Sequence, residues 1–233
     1  MKFLRELIRK IKYNFKFLNK QDQVLLNYTT NSSVNSKLTE LMNYYGSVKG
    51  GKNNHHNYSD YYSEIFFNKR KDVKNFLEIG LGTNNVNLAS NMGKDGVPLA
   101  SLKAWRDYFE NANIYGADID KEILKNDHRI KTFFVDQTNP ATISLMFKNI
   151  GVSKFDVILE DGLHEYNANI CFFENSISFL SDDGIYIIED VYFKDKIKFI
   201  NYFKNSEYNY SIIDIYHKKN IANNCVVVVR KNV

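Results

Sequence analysis

From residue 75 to residue 190, short runs of β-branched and aromatic residues alternate with stretches of helical spacing. This alternation narrows the fold more than any other feature of the chain. The runs are NFLEIG (75–80), NIYGADI (113–119), IKTFFVD (130–136), FDVILED (155–161) and GIYIIED (184–190). Strands separated by helices pair in parallel, because the crossover helix returns the chain to the same end of the sheet. The last two runs, NYSIIDIY and NCVVVVRK, are joined by HKKNIAN without a helix, which predicts a hairpin and one strand antiparallel to the rest. The expectation is an α/β domain over residues 73–233 with a mostly parallel seven-stranded sheet and a C-terminal antiparallel hairpin. Residues 1–72 are expected to form an N-terminal helical extension and cap, with short helices near 34–45 and 58–68. A chain of 233 residues is long enough to bury one core of this kind.

Charge is distributed unevenly. Residues 1–20 hold seven Lys or Arg and a single acid, Glu6, a local +6 inside an overall +4, so the remainder carries −2. Phe3, Leu4, Leu7, Ile8, Ile11, Phe15 and Leu18 share one helical stripe opposite these bases, the pattern of an amphipathic helix. Such a helix docks on its own domain or on a sister subunit, or contacts an anionic membrane surface. The rest of the chain has no concentrated basic stripe of the kind phosphate backbones require, which argues against nucleic acid. No apolar run reaches the roughly 18 to 20 residues of a membrane span. Cys171 and Cys225 form no C-x-x-C pair, so no zinc site or disulfide framework is suggested and a reducing cytoplasm fits.

In open α/β sheets, ligands bind beyond the carboxyl ends of the strands, where strand order reverses. LEIGLGTNN places Glu78, Gly80 and Gly82 at the first such end. The loop 84–97 then delays the next helix, whereas a dinucleotide phosphate turn needs a helix N-terminus at once. A ligand without phosphates is therefore expected. Asp118 ends the second of these strands and suits a ribose diol, with Asp120 a competing candidate. Asp136 and Gln137 follow the third and suit an adenine edge. S-adenosylmethionine fits this set better than NAD.

The next two strands end in paired acids, Glu160-Asp161 and Glu189-Asp190, with His164 three residues beyond the first pair. Neighbouring strand ends bring Asp161, Glu189 and Asp190 together, and carboxylates so crowded repel one another unless a cation joins them. Oxygen ligands point to Mg²⁺, with Mn²⁺ or Ca²⁺ as substitutes. Gly162 permits a tight turn that brings His164 back as a general base for a hydroxyl.

Taken in order, LEIGLG, LKAWRDYFENANIYGADID, FFVDQTNP, FDVILEDGLHEY and DGIYIIEDV resemble the metal-dependent sugar O-methyltransferases of macrolide tailoring, the macrocin and mycinamicin type. The similarity covers about residues 46–192. It implies a Rossmann-like class I methyltransferase fold and S-adenosylmethionine as methyl donor. It also implies Mg²⁺ on Asp161, Glu189 and Asp190, with His164 deprotonating a sugar hydroxyl, and it makes a homo-oligomer plausible. Where the family usually has Asp-Asp-Gly-Ser-His, this chain has Glu160-Asp161-Gly162-Leu163-His164, which removes a polar group beside the base. GGKNNHHNYSDYY resembles the family's Gly-x-Asp-Lys segment ahead of a His-x-Tyr pattern. His56 and Tyr58 match, whereas Lys52 lacks the preceding Asp. This segment is expected to fold over the cofactor or substrate, with Tyr61 and Tyr62 packing a helix onto the sheet.

The function expected is an O-methyltransferase acting on a sugar, free or nucleotide-linked, or on another small polyhydroxylated acceptor. A phosphate, phosphoramidate or catechol-like oxygen is the alternative acceptor. A non-catalytic protein that binds S-adenosylmethionine is the alternative outside enzymology.

Overall fold

The computed structural model describes residues 25–29, 36–52, 55–220 and 223–232; the basic stretch 1–20 lies outside them. Eight strands form one sheet: β1 (Leu25–Tyr28), β2 (Asn75–Ile79), β3 (Asn113–Asp118), β4 (Ile130–Phe134), β5 (Phe155–Glu160), β6 (Leu180–Ile188), β7 (Tyr208–Ile215) and β8 (Cys225–Lys231). Their order is β1-β7-β8-β6-β5-β2-β3-β4, and β8 runs antiparallel to both of its neighbours. The seven strands expected from sequence are all present. The eighth, β1, adds a strand to the segment where sequence predicts only short helices and loops. It is only four residues long within a polar segment, and it pairs in parallel with β7, covering an edge that would otherwise expose unpaired backbone groups.

Among the described residues, six helices flank the sheet: α1 (Lys37–Tyr45), α2 (Tyr58–Phe66), α3 (Ala100–Tyr108), α4 (Pro140–Ile150), α5 (Tyr166–Ser176) and α6 (Lys196–Phe203). Local chemistry sets their ends. Ser36 caps α1 by accepting from the Thr39 amide, and Gly46 stops it in the left-handed region at φ 85°. Asn139 and Pro140 start α4, and Gly151 at φ 71° ends it.

Strand residues alternate between the two faces, so the sheet divides the core in two. On one face Phe76, Val157, Leu159, Ile185 and Ile187 pack under α1, α2 and α3. On the other, Leu77, Ile79, Ile158, Tyr186 and Ile188 pack under α4, α5 and α6. The helices of residues 36–66 thus share the core of the sheet. Trp105 on α3 joins them, fully buried with ring centroids 4.9 Å from Phe76, 5.5 Å from Phe109 and 5.7 Å from Tyr62.

Parallel register aligns the carboxyl ends. Ile79 pairs with Ala117 and with Glu160, and Glu160 pairs with Ile188. The next residue on each strand therefore falls in one row: Asp118, Gly80, Asp161 and Glu189. The row is closed by backbone hydrogen bonds from Gly80 to Ala117, from Asp161 to Ile79 and from Glu189 to Glu160. β2 is the strand from which the chain winds outward in both directions, which places the expected ligand site above it.

Trp105→Ala should remove the aromatic contacts that tie Phe76 of the sheet to Tyr62 and Phe66 of α2. The expected loss is about 3–5 kcal/mol of folding free energy, measured as a fall in the urea midpoint at unchanged slope.

Candidate active site

A cavity of about 390 Å³ opens above the row of strand ends. Gly80, Gly82, Asp118, Asp136, Gln137, Asp161, His164 and Asp190, all singled out from sequence, line it, and Ser47, Lys49 and His56 line it from the opposite side. A space of this size suits a ligand of nucleoside dimensions.

At the β3 end, Asp118 Oδ2 accepts from the Leu81 amide at 2.7 Å and Oδ1 from the Asp120 amide at 2.8 Å. Burial raises the Asp118 pKa in spite of these bonds. Asp120 is committed elsewhere, accepting from Thr83 and capping the turn at Glu122, so of the two it is Asp118 whose carboxylate borders the cavity. Asp136 accepts from the Thr138 amide and hydroxyl. Gln137 is a brace: its amide donates to Glu160 at 2.9 Å and its carbonyl accepts from the Leu163 amide at 2.7 Å. The long loop after β2 is confirmed, since α3 starts only at Ala100. Gly80 has φ 85°, and a Cβ there would overlap the Asp161 carbonyl. The absent side chain is what allows the ends of β2 and β5 to touch.

The paired acids separate. Glu160 lies on the α5 face, fully buried, taking hydrogen bonds from Gln137, Asn169 and the Gly162 amide. Asp161 and Glu189 point toward the α2 face, and Glu78 points there too. Between these three sits Lys49, only 2% exposed, from the short turn Val48–Gly50 that follows α1. Its ammonium donates to Asp161 and Glu189 and lies 3.4 Å from Glu78. Burial alone would lower the Lys49 pKa, but Asp161, Glu189 and Glu78 together hold it well above the ordinary lysine value. Burial pushes Glu78 up to about 7 against the pull of Lys49. Glu78, expected to address the cofactor, is thus placed facing Lys49.

Lys49 was not singled out from sequence. Gly46-Ser47-Val48-Lys49 keeps the Gly-x-x-Lys spacing with Val48 in place of the Asp, whereas Lys49-Gly50-Gly51-Lys52 has Lys where the pattern needs Gly. Burial decides between them: Lys52 is exposed.

α2 supplies further partners. The Tyr62 hydroxyl donates to Glu189 at 2.6 Å and the Tyr58 hydroxyl to Asp190 at 2.6 Å. Tyr62 therefore does more than pack, whereas Tyr61 stacks edge-on against Tyr28 with centroids 5.2 Å apart. His56 stacks on Tyr58 and approaches Asp190 at 3.2 Å. Asp161, His164 and Asp190 each offer one ligand atom, all within 4.8 Å of one another, the group among the described residues that a metal ion could share. Two carboxylates that converge beside open space fit a hard divalent cation, which keeps several waters. Both oxygens of Glu189 are engaged, one by Lys49 and one by Tyr62.

His164 Nε2 lies 3.0 Å from Asp161 and 3.5 Å from Asp190. Burial would lower its pKa, but the Asp161 hydrogen bond and the Asp190 charge raise it to about 10. The two carboxylates beside the ring favour its charged form. Both His164 (φ 59°) and Asp190 (φ 53°) occupy the left-handed region, which non-glycine residues adopt at a cost.

No family model matches the chain. Among curated proteins it is 28% identical over 147 residues to the 8-demethyl-8-alpha-L-rhamnosyl tetracenomycin-C 2'-O-methyltransferase of Streptomyces olivaceus, covering 63% of this chain and 35% of that protein. It is 27% identical over 161 residues to the demethylmacrocin O-methyltransferase of Streptomyces fradiae, covering 69% and 38%. Among solved structures, the MycE methyltransferase from the mycinamycin biosynthetic pathway, in complex with Mg, SAH and mycinamycin VI, superposes with a TM-score of 0.55 at 26% identity, covering 66% of this chain and 39% of that one. The chain is similar in sequence and fold to these methyltransferases. It spans little more than a third of the length of each. The O-methyltransferase from Bacillus cereus in complex with SAH matches 86% of this chain and 93% of its own at a TM-score of 0.55 and 11% identity, a likeness of fold. The fold is the Rossmann-like methyltransferase fold, extended by β1.

Two outcomes follow from this geometry. A Cβ at Gly162 would overlap the Gln137 carbonyl that holds Leu163. Gly162→Ala should cost about 1–3 kcal/mol by breaking that bond, and an unchanged urea midpoint would contradict it. The second concerns pH. The folded His164 pKa of about 10 exceeds its ordinary 6.5, so its contribution to stability is complete below 6.5 and is lost as pH rises through 10. In cation-free protein, His164→Gln should flatten the fall of the unfolding midpoint across that interval.

Proposed function

We propose that this chain is an S-adenosylmethionine-dependent O-methyltransferase, assisted by a divalent cation, whose acceptor is a sugar hydroxyl. The observation that carries this reading is one cavity bordered at one end by Gly80 and Asp118 and at the other by Asp161, His164 and Asp190. The named activities of the relatives agree with it: each is an O-methyltransferase, one of them named for an α-L-rhamnosyl compound.

In this reading Asp118 accepts from the ribose hydroxyls of the cofactor, Gly80 and Gly82 let it lie against the backbone, and Asp136 borders its base. Gln137 serves the site indirectly by fixing the turn that carries His164. Asp161, Glu189 and Asp190 would hold the cation, with Glu189 released from Lys49. When bound, S-adenosylmethionine would supply the methyl group on a sulfonium, and the cation would supply positive charge that acidifies a nearby hydroxyl and disfavours a charged His164. His164 Nε2 then takes the hydroxyl proton, and Asp161 orients the ring. Tyr58 and Tyr62 fix Asp190 and Glu189 by donating to them. Leu163, also on the cavity wall, presents an apolar surface beside the base and favours an acceptor with an apolar ring face. Residues 36–72 act as the cap that closes the acceptor side.

The test is transfer of labelled methyl to a panel of free and nucleotide-linked sugars, with Mg²⁺ or with EDTA. Transfer should require the cation, and His164→Ala should lower kcat by about 10²- to 10⁴-fold while S-adenosylhomocysteine still binds. Full transfer in EDTA would remove the cation from the reading. Wild-type kcat in His164→Ala would remove the base.

A further inference from the structure

The acidic centre already holds a cation of its own. Lys49 is almost fully buried, and its ammonium reaches Asp161 and Glu189 and lies 3.4 Å from Glu78. Both carboxylate oxygens of Glu78 are buried, and Lys49 is the charge that faces them. Three acids on one sheet face would repel one another, and each would lose hydration on burial, unless a positive charge stood between them. Lys49 does so from the cap, on a turn that Ser47 fixes by accepting from the Lys49 amide.

We infer that Lys49 and the divalent cation are alternative partners of Asp161 and Glu189, so that Lys49 is a positioning residue that sets how tightly the site takes a metal. This rests on the metal-assisted reading above. Asp161 is the residue both would share: one oxygen faces Lys49 and the other faces His164. Glu189 gives one oxygen to Lys49, so a metal ion bound there would lie beside that ammonium or take its place. The cap residue thereby holds the acids in place while the metal is absent. The cation must compete with a tethered ammonium, which weakens its binding and makes exchange with the medium easier.

The experiment is Mn²⁺ titration followed by the electron paramagnetic resonance of free Mn²⁺, on the full chain without acceptor. Lys49→Met should bind Mn²⁺ roughly tenfold tighter than wild type, since removing one positive charge beside the ion relieves repulsion. Lys49→Arg, which keeps the charge, should stay near the wild-type affinity, separating charge from packing. Lys49→Gln gives the same comparison if the Met variant does not fold. Wild-type protein reports independently: labelling of Lys49 by acetic anhydride, read by peptide mass spectrometry, should rise when Mg²⁺ is saturating. Equal or weaker Mn²⁺ binding in a folded neutral variant, or labelling indifferent to bound Mg²⁺, overturns the role of Lys49 and leaves the metal reading standing. If wild type takes up S-adenosylhomocysteine but no Mn²⁺, the metal reading and this inference fall together.

Discussion

Everything at the ligand end of this molecule depends on how a sheet edge accommodates several carboxylates at once. Parallel register brings Asp118, Gly80, Asp161 and Glu189 into one row, and alternation turns Glu78, Asp161 and Glu189 toward the same side. Without a counter-charge such a row would disfavour folding. Lys49 supplies it from a turn that the sheet does not contain, tying the helices of residues 36–66 electrostatically to the strands they already cover with apolar side chains.

The turn after β5 is the second point of control. Gly80 lets the backbone of Asp161 approach, Gly162 leaves room for Gln137, and Gln137 holds the Leu163 amide. These contacts hold His164 in a backbone conformation it would not choose alone. The ring then sits between two carboxylates, which decides its protonation far more than its own chemistry does.

The strands of the main sheet and most of the helices were legible in the sequence because periodicity carries them. The pairing of acids was legible only in part. Read as neighbours in sequence, Glu160 and Asp161 belong together, yet period-two alternation sends them to opposite faces, and the same rule would have grouped Glu78 with Asp161 and Glu189. Gln137 looked like a ligand contact because its brace partners, Glu160 and Leu163, become its neighbours only through the β4 to β5 crossover. Lys49 was missed because the Gly50-Gly51 pair beside Lys52 masks the Gly-x-x-Lys spacing that Gly46 gives to Lys49. β1 was missed because four residues at a sheet edge carry too little pattern to stand out from a polar stretch.

The row of strand ends also works as a ruler. Asp118 and Glu189 lie on strands three steps apart, and neighbouring strands are spaced about 4.8 Å apart, so the row spans about 14 Å. That span is fixed by backbone hydrogen bonds and does not stretch when side chains change. Variation in the length or shape of what binds at the acidic end therefore has to be absorbed by the turn carrying Lys49 and by the His56 to Tyr62 segment. The sheet keeps the distance, and the overlying segments are left free to diversify.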